Sequence, residues 1–279
     1  MDLGIFSKTF ARPSIDETFA AVAGYGLRSG QFNMAAAGLN AMPDDIPPDV
    51  PDLVRRAATD RGIEIAALSG TFNMAHPDPL VREQGIARLR VLAAACRPMG
   101  TSIMTLCTGT RHRDNMWHRH PENDSRDAWR DLVATLEPAL AIAEEHDLTL
   151  AVEPEPGNVV NSAARGRRLL QELQSPRLRI IVDPANIVAT DRARAPETVL
   201  SDAFDLLGEH LAVAHAKDIA LDGEFCAAGK GIVPWEHYIA LLRGANFSGP
   251  LIVHGLTEDE VPEAVGLLRQ RLVERAAEV

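Results

Sequence analysis

Short apolar runs and longer amphipathic stretches alternate along the chain. Eight runs have the length and composition of strands: Leu3–Ser7, Ser29–Met34, Ile63–Gly70, Ile103–Gly109, Leu148–Glu153, Leu178–Asp183, Leu211–His215 and Leu251–His254. Several, such as I-I-V-D and L-I-V-H, are dense in Val, Ile and Leu without polar alternation, the pattern of a parallel strand covered on both faces. S-G-Q-F-N-M is weak and takes its assignment from its place in the series. Between the runs, apolar residues recur at helical spacing. Leu80–Met99 carries Ile86, Leu89, Val91, Leu92 and Ala95, and Trp129–Glu145 carries Leu132, Val133, Leu136, Leu140 and Ile142. Pro262–Val279 repeats the pattern with Val265, Leu267, Leu268, Leu272 and Val273. Ser14 before Asp16-Glu17, Ser125 before Asp127, and Pro234 have the chemistry of helix starts.

Regular strand–helix alternation means parallel strands joined by right-handed crossovers. Eight such units with no linker or composition break predict an α/β protein with one (β/α)8 TIM barrel, a single domain over residues 1–279. An open dinucleotide-binding sheet is the weaker alternative. It wants a glycine-rich turn after the first strand, and Ser7-Lys8-Thr9-Phe10 does not supply one. The longest irregular stretch, Thr108–Ser125, follows the fourth strand and holds three histidines and three arginines. It reads either as a solvated lid or as a segment that closes over substrate through Arg111, His112 or Trp117.

Composition narrows the partners. The net charge of -11 repels polyanions and argues against nucleic acid. Cys96, Cys107 and Cys226 are too far apart for a disulfide framework or zinc ribbon, and the first two read as buried small hydrophobes. The first residues lack the basic start and apolar run of a secretion signal, and no apolar run suits a membrane span. The expectation is a cytoplasmic protein with no membrane partner.

The chemistry lies where the strands end. The fifth ends L-A-V-E-P-E-P, the sixth I-I-V-D-P-A-N, the seventh V-A-H-A-K-D and the eighth L-I-V-H-G. Each apolar run thus stops at Glu153, Asp183, His215 or His254. A barrel gathers these ends into one ring. A lone strand-end carboxylate is more often a cap or an ion-pair partner, but two of them buried without a cation repel one another and lose hydration. Together with two imidazoles they form an oxygen–nitrogen set suited to one divalent metal ion: Mn2+, Zn2+, Co2+, Fe2+ or Mg2+.

With V-E-P-E-P-G-N at Val152–Asn158, D-P-A-N at Asp183–Asn186, H-A-K-D at His215–Asp218 and G-K-G-I-V-P-W at Gly229–Trp235, the chain resembles the xylose isomerase-like sugar isomerases and epimerases. These include relatives of hydroxypyruvate isomerase, inosose dehydratase and D-tagatose 3-epimerase. The resemblance runs nearly end to end. It implies a small polyhydroxylated substrate and metal ligation by Glu153, Asp183 and His215. It also implies substrate contacts from Asn186, Lys217, Lys230 and Trp235, with the Gly229–Gly231 turn closing on the substrate. Homodimer or homotetramer assembly is common among such barrels, and no segment marks an interface. The departure is His254, where the resemblance implies a glutamate. An imidazole there either completes the metal site or serves as the second acid–base beside Glu153, and a metal-bound nitrogen cannot also take a proton.

The expected function is therefore isomerisation or epimerisation of a sugar or sugar derivative by proton transfer through a metal-stabilised enediolate. With one base and a leaving group, the same site would act as a dehydratase or lyase on a keto-sugar or keto-cyclitol. A non-catalytic sugar-binding subunit is a third reading. A multi-zinc abasic-site endonuclease fits poorly, since strands two and three end near Asn33 and Ser69, and His76 lies further into its loop.

Overall fold

The computed structural model describes residues 1–274, so residues 275–279, assigned above to the last helix, lie outside the described residues. Eight parallel strands close into a barrel. They are β1 Leu3–Phe6, β2 Ser29–Phe32, β3 Glu64–Ser69, β4 Ile103–Cys107, β5 Thr149–Glu153, β6 Leu178–Val182, β7 Leu211–Ala216 and β8 Leu251–Val253. Each pairs with its neighbour in sequence, and β1 closes on β8 with Leu3 opposite Leu251, Gly4 opposite Ile252 and Ile5 opposite Val253. All eight expected strands are present. Most expected boundaries run past the true C-terminal end, because Asp183 and His254 stand just beyond the last residues of β6 and β8.

Helices Ile15–Gly24, Val50–Thr59, Pro79–Met99, Arg126–Glu145, Ala163–Leu173, Pro196–Leu207, Trp235–Gly244 and Val261–Glu274 surround the barrel. Their starts follow the expected cap chemistry. The Ser14 hydroxyl accepts from the Glu17 amide, and Ser125 accepts from Ala128, which begins that helix at Arg126 rather than Trp129. A short extra helix, Pro184–Val188, starts directly at Asp183, whose carboxylate accepts from the Asn186 amide. No described helix is long and apolar enough to cross a membrane.

Strand side chains alternate between two cores. One face packs against the helices in a large cluster that includes Ile5, Phe32, Leu68, Leu106, Val152 and Val182. The other face forms a smaller cluster inside the barrel with Ala67, Ala151, Ile181, Val213 and Ile252. Two positions later on the same inward face stand Ser69, Glu153, Asp183, His215 and His254. The polar layer thus rests on an aliphatic floor. β1 fits this floor only because Gly4 has no side chain: a Cβ there would lie 2.6 Å from Ile252 Cδ1 and 2.8 Å from the Ser29 carbonyl oxygen. Gly4→Ala is therefore expected to destabilise the fold by about 1–3 kcal/mol. The measurement is the urea midpoint at unchanged slope, and an unchanged midpoint would show that the floor has slack.

Candidate metal centre

β5 through β8 each contribute one inward side chain to the C-terminal mouth. One ligand atom each from Glu153, Asp183, His215 and His254 lies within 4.8 Å of every other. Glu153, Asp183 and His215 are buried, and the His254 side chain keeps 20% of its surface. His215 Nδ1 is 3.3 Å from Glu153 Oε1 and 3.7 Å from Asp183 Oδ2, while His254 Nε2 is 2.8 Å from Asp183 Oδ2. Lys217 Nζ sits 3.3 Å from Asp183 Oδ2 and donates to Asn186 Oδ1 at 2.8 Å. Asn186 Nδ2 in turn donates to Glu153 Oε1 at 2.8 Å. Asn186 and Lys217 therefore stand beside the four-residue group, as a substrate contact requires.

The donor set fits a divalent ion, and its support fits better than the sequence foretold. His215 Nε2 lies 3.0 Å from Gln31 Oε1, and Gln31 is itself fixed by donating from Nε2 to Thr105 Oγ1 at 3.2 Å. An Nε2–H held by an acceptor leaves the Nδ1 lone pair turned toward Glu153 and Asp183, the usual outer support of a ligating histidine. Gln31 lies on the weak second strand, and a polar residue in so poor a strand pattern gave no signal. From behind, the buried Tyr238 hydroxyl shares its one proton between the carbonyls of Val182 at 3.2 Å and His215 at 3.1 Å, at the C-terminal ends of β6 and β7.

Without a metal, protons do part of the balancing. Burial would push Glu153 up, but His215 and Lys217 bring its pKa below the ordinary value. Asp183 is also held down, because Lys217, His215 and His254 outweigh its desolvation. Burial opposes charge on His215, yet Glu153 and Asp183 raise it to about 9. Burial and the neighbouring His215 charge push His254 down to about 4, so that ring is neutral. A second carboxyl, Glu155, is raised to about 8 by burial and by Glu153. Its place inside the V-E-P-E-P-G-N motif was visible in the sequence, but its protonation was not.

Four other expected contacts, Arg111, His112, Lys230 and Trp235, are engaged by protein groups outside the strand-end set. Arg111 donates to Asp131 at 2.8 Å and to the Ala75 carbonyl at 3.1 Å, which ties its loop to the helix Arg126–Glu145. The His112 Nδ1 accepts from the amides of Asp114 and Asn115, and its ring meets His118 edge-on at 5.5 Å. Trp117, the third lid candidate, is exposed. The loop from Thr108 is pinned by Asn123, which accepts from Thr110 and Arg111 and donates to the Gly157 carbonyl. Lys230 pairs with Glu260 at 3.0 Å and Glu263 at 3.6 Å. The Trp235 ring is buried and its nitrogen donates to Asp218 Oδ2 at 3.0 Å. Asp218 also accepts from the amides of Ile219, Gly229 and Val233, so H-A-K-D and G-K-G-I-V-P-W are two halves of one clamp. Glu260 closes a capping box with Thr257.

A cavity of about 410 Å3 opens beside His254, bordered by Phe6, Lys8, Gly255, Thr257 and Glu260. Gly255, at φ +73°, leaves room for the Lys217 stem: a Cβ there would stand 2.9 Å from Lys217 Cδ. A larger cavity of about 590 Å3 lies at the opposite end of the barrel, beside Gly208–His210 ahead of β7, and is remote from the strand-end acids.

A closed eight-stranded barrel with carboxylates and imidazoles converging at its C-terminal mouth is the architecture in which barrel enzymes build their sites. Residues 19–271 match the family described as xylose isomerase-like TIM barrel, and the chain belongs to that family. It is 23% identical over 202 residues to the L-ribulose-5-phosphate 3-epimerase UlaE of Escherichia coli O157:H7, a match covering 72% of this chain and 66% of that protein. A D-tagatose 3-epimerase-like protein superposes with a TM-score of 0.78 at 14% identity, covering 100% of this chain and 99% of the other. The probable 3-DHS dehydratase AsbF of Bacillus anthracis superposes at 0.73 and 14% identity, covering 96% and 99%. These two likenesses establish the fold.

Two predictions follow from the supports of His215. Gln31→Met should weaken divalent-ion affinity by about 10–100-fold, read by titration calorimetry with Mn2+. An unchanged affinity would remove Gln31 from the site. Because His215 must lose its proton to ligate, affinity should fall by up to about tenfold per pH unit below about 9. The metal-free protein should behave oppositely. Its raised His215 pKa contributes stability fully present below the ordinary value near 6.5 and lost as pH rises through about 9. Melting curves with and without metal across this window should diverge as pH rises.

Proposed function

We propose that this protein is a metal-dependent isomerase or epimerase of a sugar or sugar derivative, working by proton transfer at a carbon beside a carbonyl. The observation that carries the reading is the convergence of Glu153, Asp183, His215 and His254 beside Lys217 and Asn186. The match to an L-ribulose-5-phosphate 3-epimerase supports the same reaction class. Glu153, Asp183 and His215 would hold the ion. A bound divalent cation supplies electrophilic polarisation of a carbonyl and its neighbouring hydroxyl, which acidifies the C–H between them.

The protein groups divide the remaining work. Glu153 stays anionic at the mouth and is oriented by Asn186, so it is the group to remove or return a proton. His254 Nε2 faces Asp183, and among the described residues Nδ1 has no partner. We read this imidazole, oriented through one nitrogen and open at the other, as the second acid–base; as a fourth ligand it would complete the metal set through Nε2 instead. Glu153 at the end of β5 and His254 just after β8 then serve one substrate from separate strand ends. Lys217 and Asn186 meet its oxygens, and Lys217 adds positive charge where negative charge develops.

Glu155 favours a second reading. Burial and Glu153 raise its carboxyl to about 8, and a carboxyl that keeps its proton could protonate a leaving group, so elimination from a keto-sugar or keto-cyclitol is the alternative. A panel of ketopentoses and ketohexoses, with and without terminal phosphate, assayed in D2O decides between them. Isomerase or epimerase chemistry leaves one solvent deuteron at the reacting carbon, whereas elimination yields a dehydrated enone. Glu153→Gln should reduce turnover by at least about 10³-fold while leaving the melting temperature of the metal-free protein within a few degrees. His254→Gln should also lose turnover but keep metal affinity within about tenfold. Tight stoichiometric metal with no turnover of any panel member would instead make the protein a sugar-binding subunit.

A further inference from the structure

The chain contains only three lysines, Lys8, Lys217 and Lys230, among 28 lysines and arginines. Most of its surface ion pairs are built with arginine. Yet all three lysines stand at the C-terminal mouth: Lys8 in the turn that follows β1, Lys217 two residues past His215, and Lys230 in the turn clamped by Asp218. Lysine differs from arginine in presenting a compact, strongly hydrated point charge on a flexible stem. Two of the three are spoken for. Lys217 balances Asp183, and Lys230 is shared by Glu260 and Glu263.

Lys8 is not. Among the described residues it makes no hydrogen bond or ion pair, and its ammonium rests over the Phe6 ring at 4.6 Å from the centroid. The Phe6 ring is in turn 6.4 Å from the ring of His254. Lys8 borders the 410 Å3 cavity that holds His254, and also an adjoining cavity of about 460 Å3 lined by Phe10, Arg12 and Ala35. Arg12, on the far side, is neutralised by Glu258. A molecule seated on the strand-end group and extending past Phe6 therefore meets a cation that no hydrogen bond or ion pair ties down, with Glu153 and Glu155 acting on it only through space. In a chain of net charge -11 a ligand anion is otherwise repelled, so a cation at the outer edge of the mouth, beyond Lys217, favours a ligand whose anionic end reaches that far.

We propose that Lys8 selects substrates bearing a terminal anionic group, a phosphate ester or a carboxylate, remote from the reacting carbons. The proposal rests on the polyhydroxylated-ketone reading of the site, and the substrate is accordingly a sugar phosphate or a sugar acid rather than a neutral sugar.

The test uses metal-loaded wild type, Lys8→Met and Lys8→Arg with three ligands: a ketopentose, its terminal phosphate ester and the corresponding terminal carboxylate. Wild type is expected to favour at least one anionic member by tenfold or more in kcat/KM. Lys8→Met should erase that preference mainly through KM, and Lys8→Arg should keep most of it. Preference for the phosphate ester or for the carboxylate identifies which anion is meant. A wild type that shows no anionic preference, or a Lys8→Met protein that retains it, overturns the proposal. Binding of the same ligands to Glu153→Gln and to Glu153→Gln/Lys8→Met, measured by calorimetry, separates the two readings. Absence of turnover everywhere would defeat the enzymatic reading, while an anionic preference in binding that vanishes with Lys8 would still uphold Lys8.

Discussion

Two carboxylates, Glu153 and Asp183, are buried side by side at the mouth of the barrel, and the surroundings are arranged to make that arrangement tolerable. Either acid alone could be neutralised by taking up a proton. Held together and kept ionised, they demand positive charge. The structure answers with a cationic His215, with Lys217 against Asp183, and with Asn186 bridging Lys217 to Glu153. A divalent ion could take over that duty by displacing the imidazole proton. Gln31 holds the other nitrogen of His215 in the position that such an exchange needs. The electrostatic demand thus accounts for residues on β2, β5, β6, β7 and β8 at once.

Much of this was legible in the sequence because barrel strands are simple objects. Short, dense Val-Ile-Leu runs bounded by turn residues suit a strand covered on both faces. A polar residue that ends such a run must leave the core at one end, and closure brings those ends together. Hence Glu153, Asp183, His215 and His254 could be picked out without coordinates. What could not be read were pairings between distant loops. Arg111 looked like a substrate contact because nothing nearby in sequence claims it, yet its partner Asp131 lies on the following helix. Lys230 is claimed by acids about thirty residues downstream, and Trp235 by Asp218. Tyr238 and Gln31 escaped notice for the opposite reason, since each sits in a pattern that looks like ordinary helix or poor strand.

The shared motifs also change meaning once placed. H-A-K-D contributes His215 and Lys217 to the site, but its Asp218 faces away and collects four donors from the segment ending at Trp235. Gly231 is required there, because a Cβ would fall 2.2 Å from the Ile219 carbonyl oxygen. Asp218 and Gly231 thus serve the architecture of the mouth rather than its ligand set.

The loops around the mouth are cross-braced by buried side chains: Asp218 on one side, and Asn123 and Asn158 on the other. A rim ordered before any ligand arrives loses little conformational entropy on binding. It also presents a finished outline to whatever diffuses toward it. Discrimination would then fall at the doorway, where the fixed shape and charge of the rim accept a molecule or turn it back.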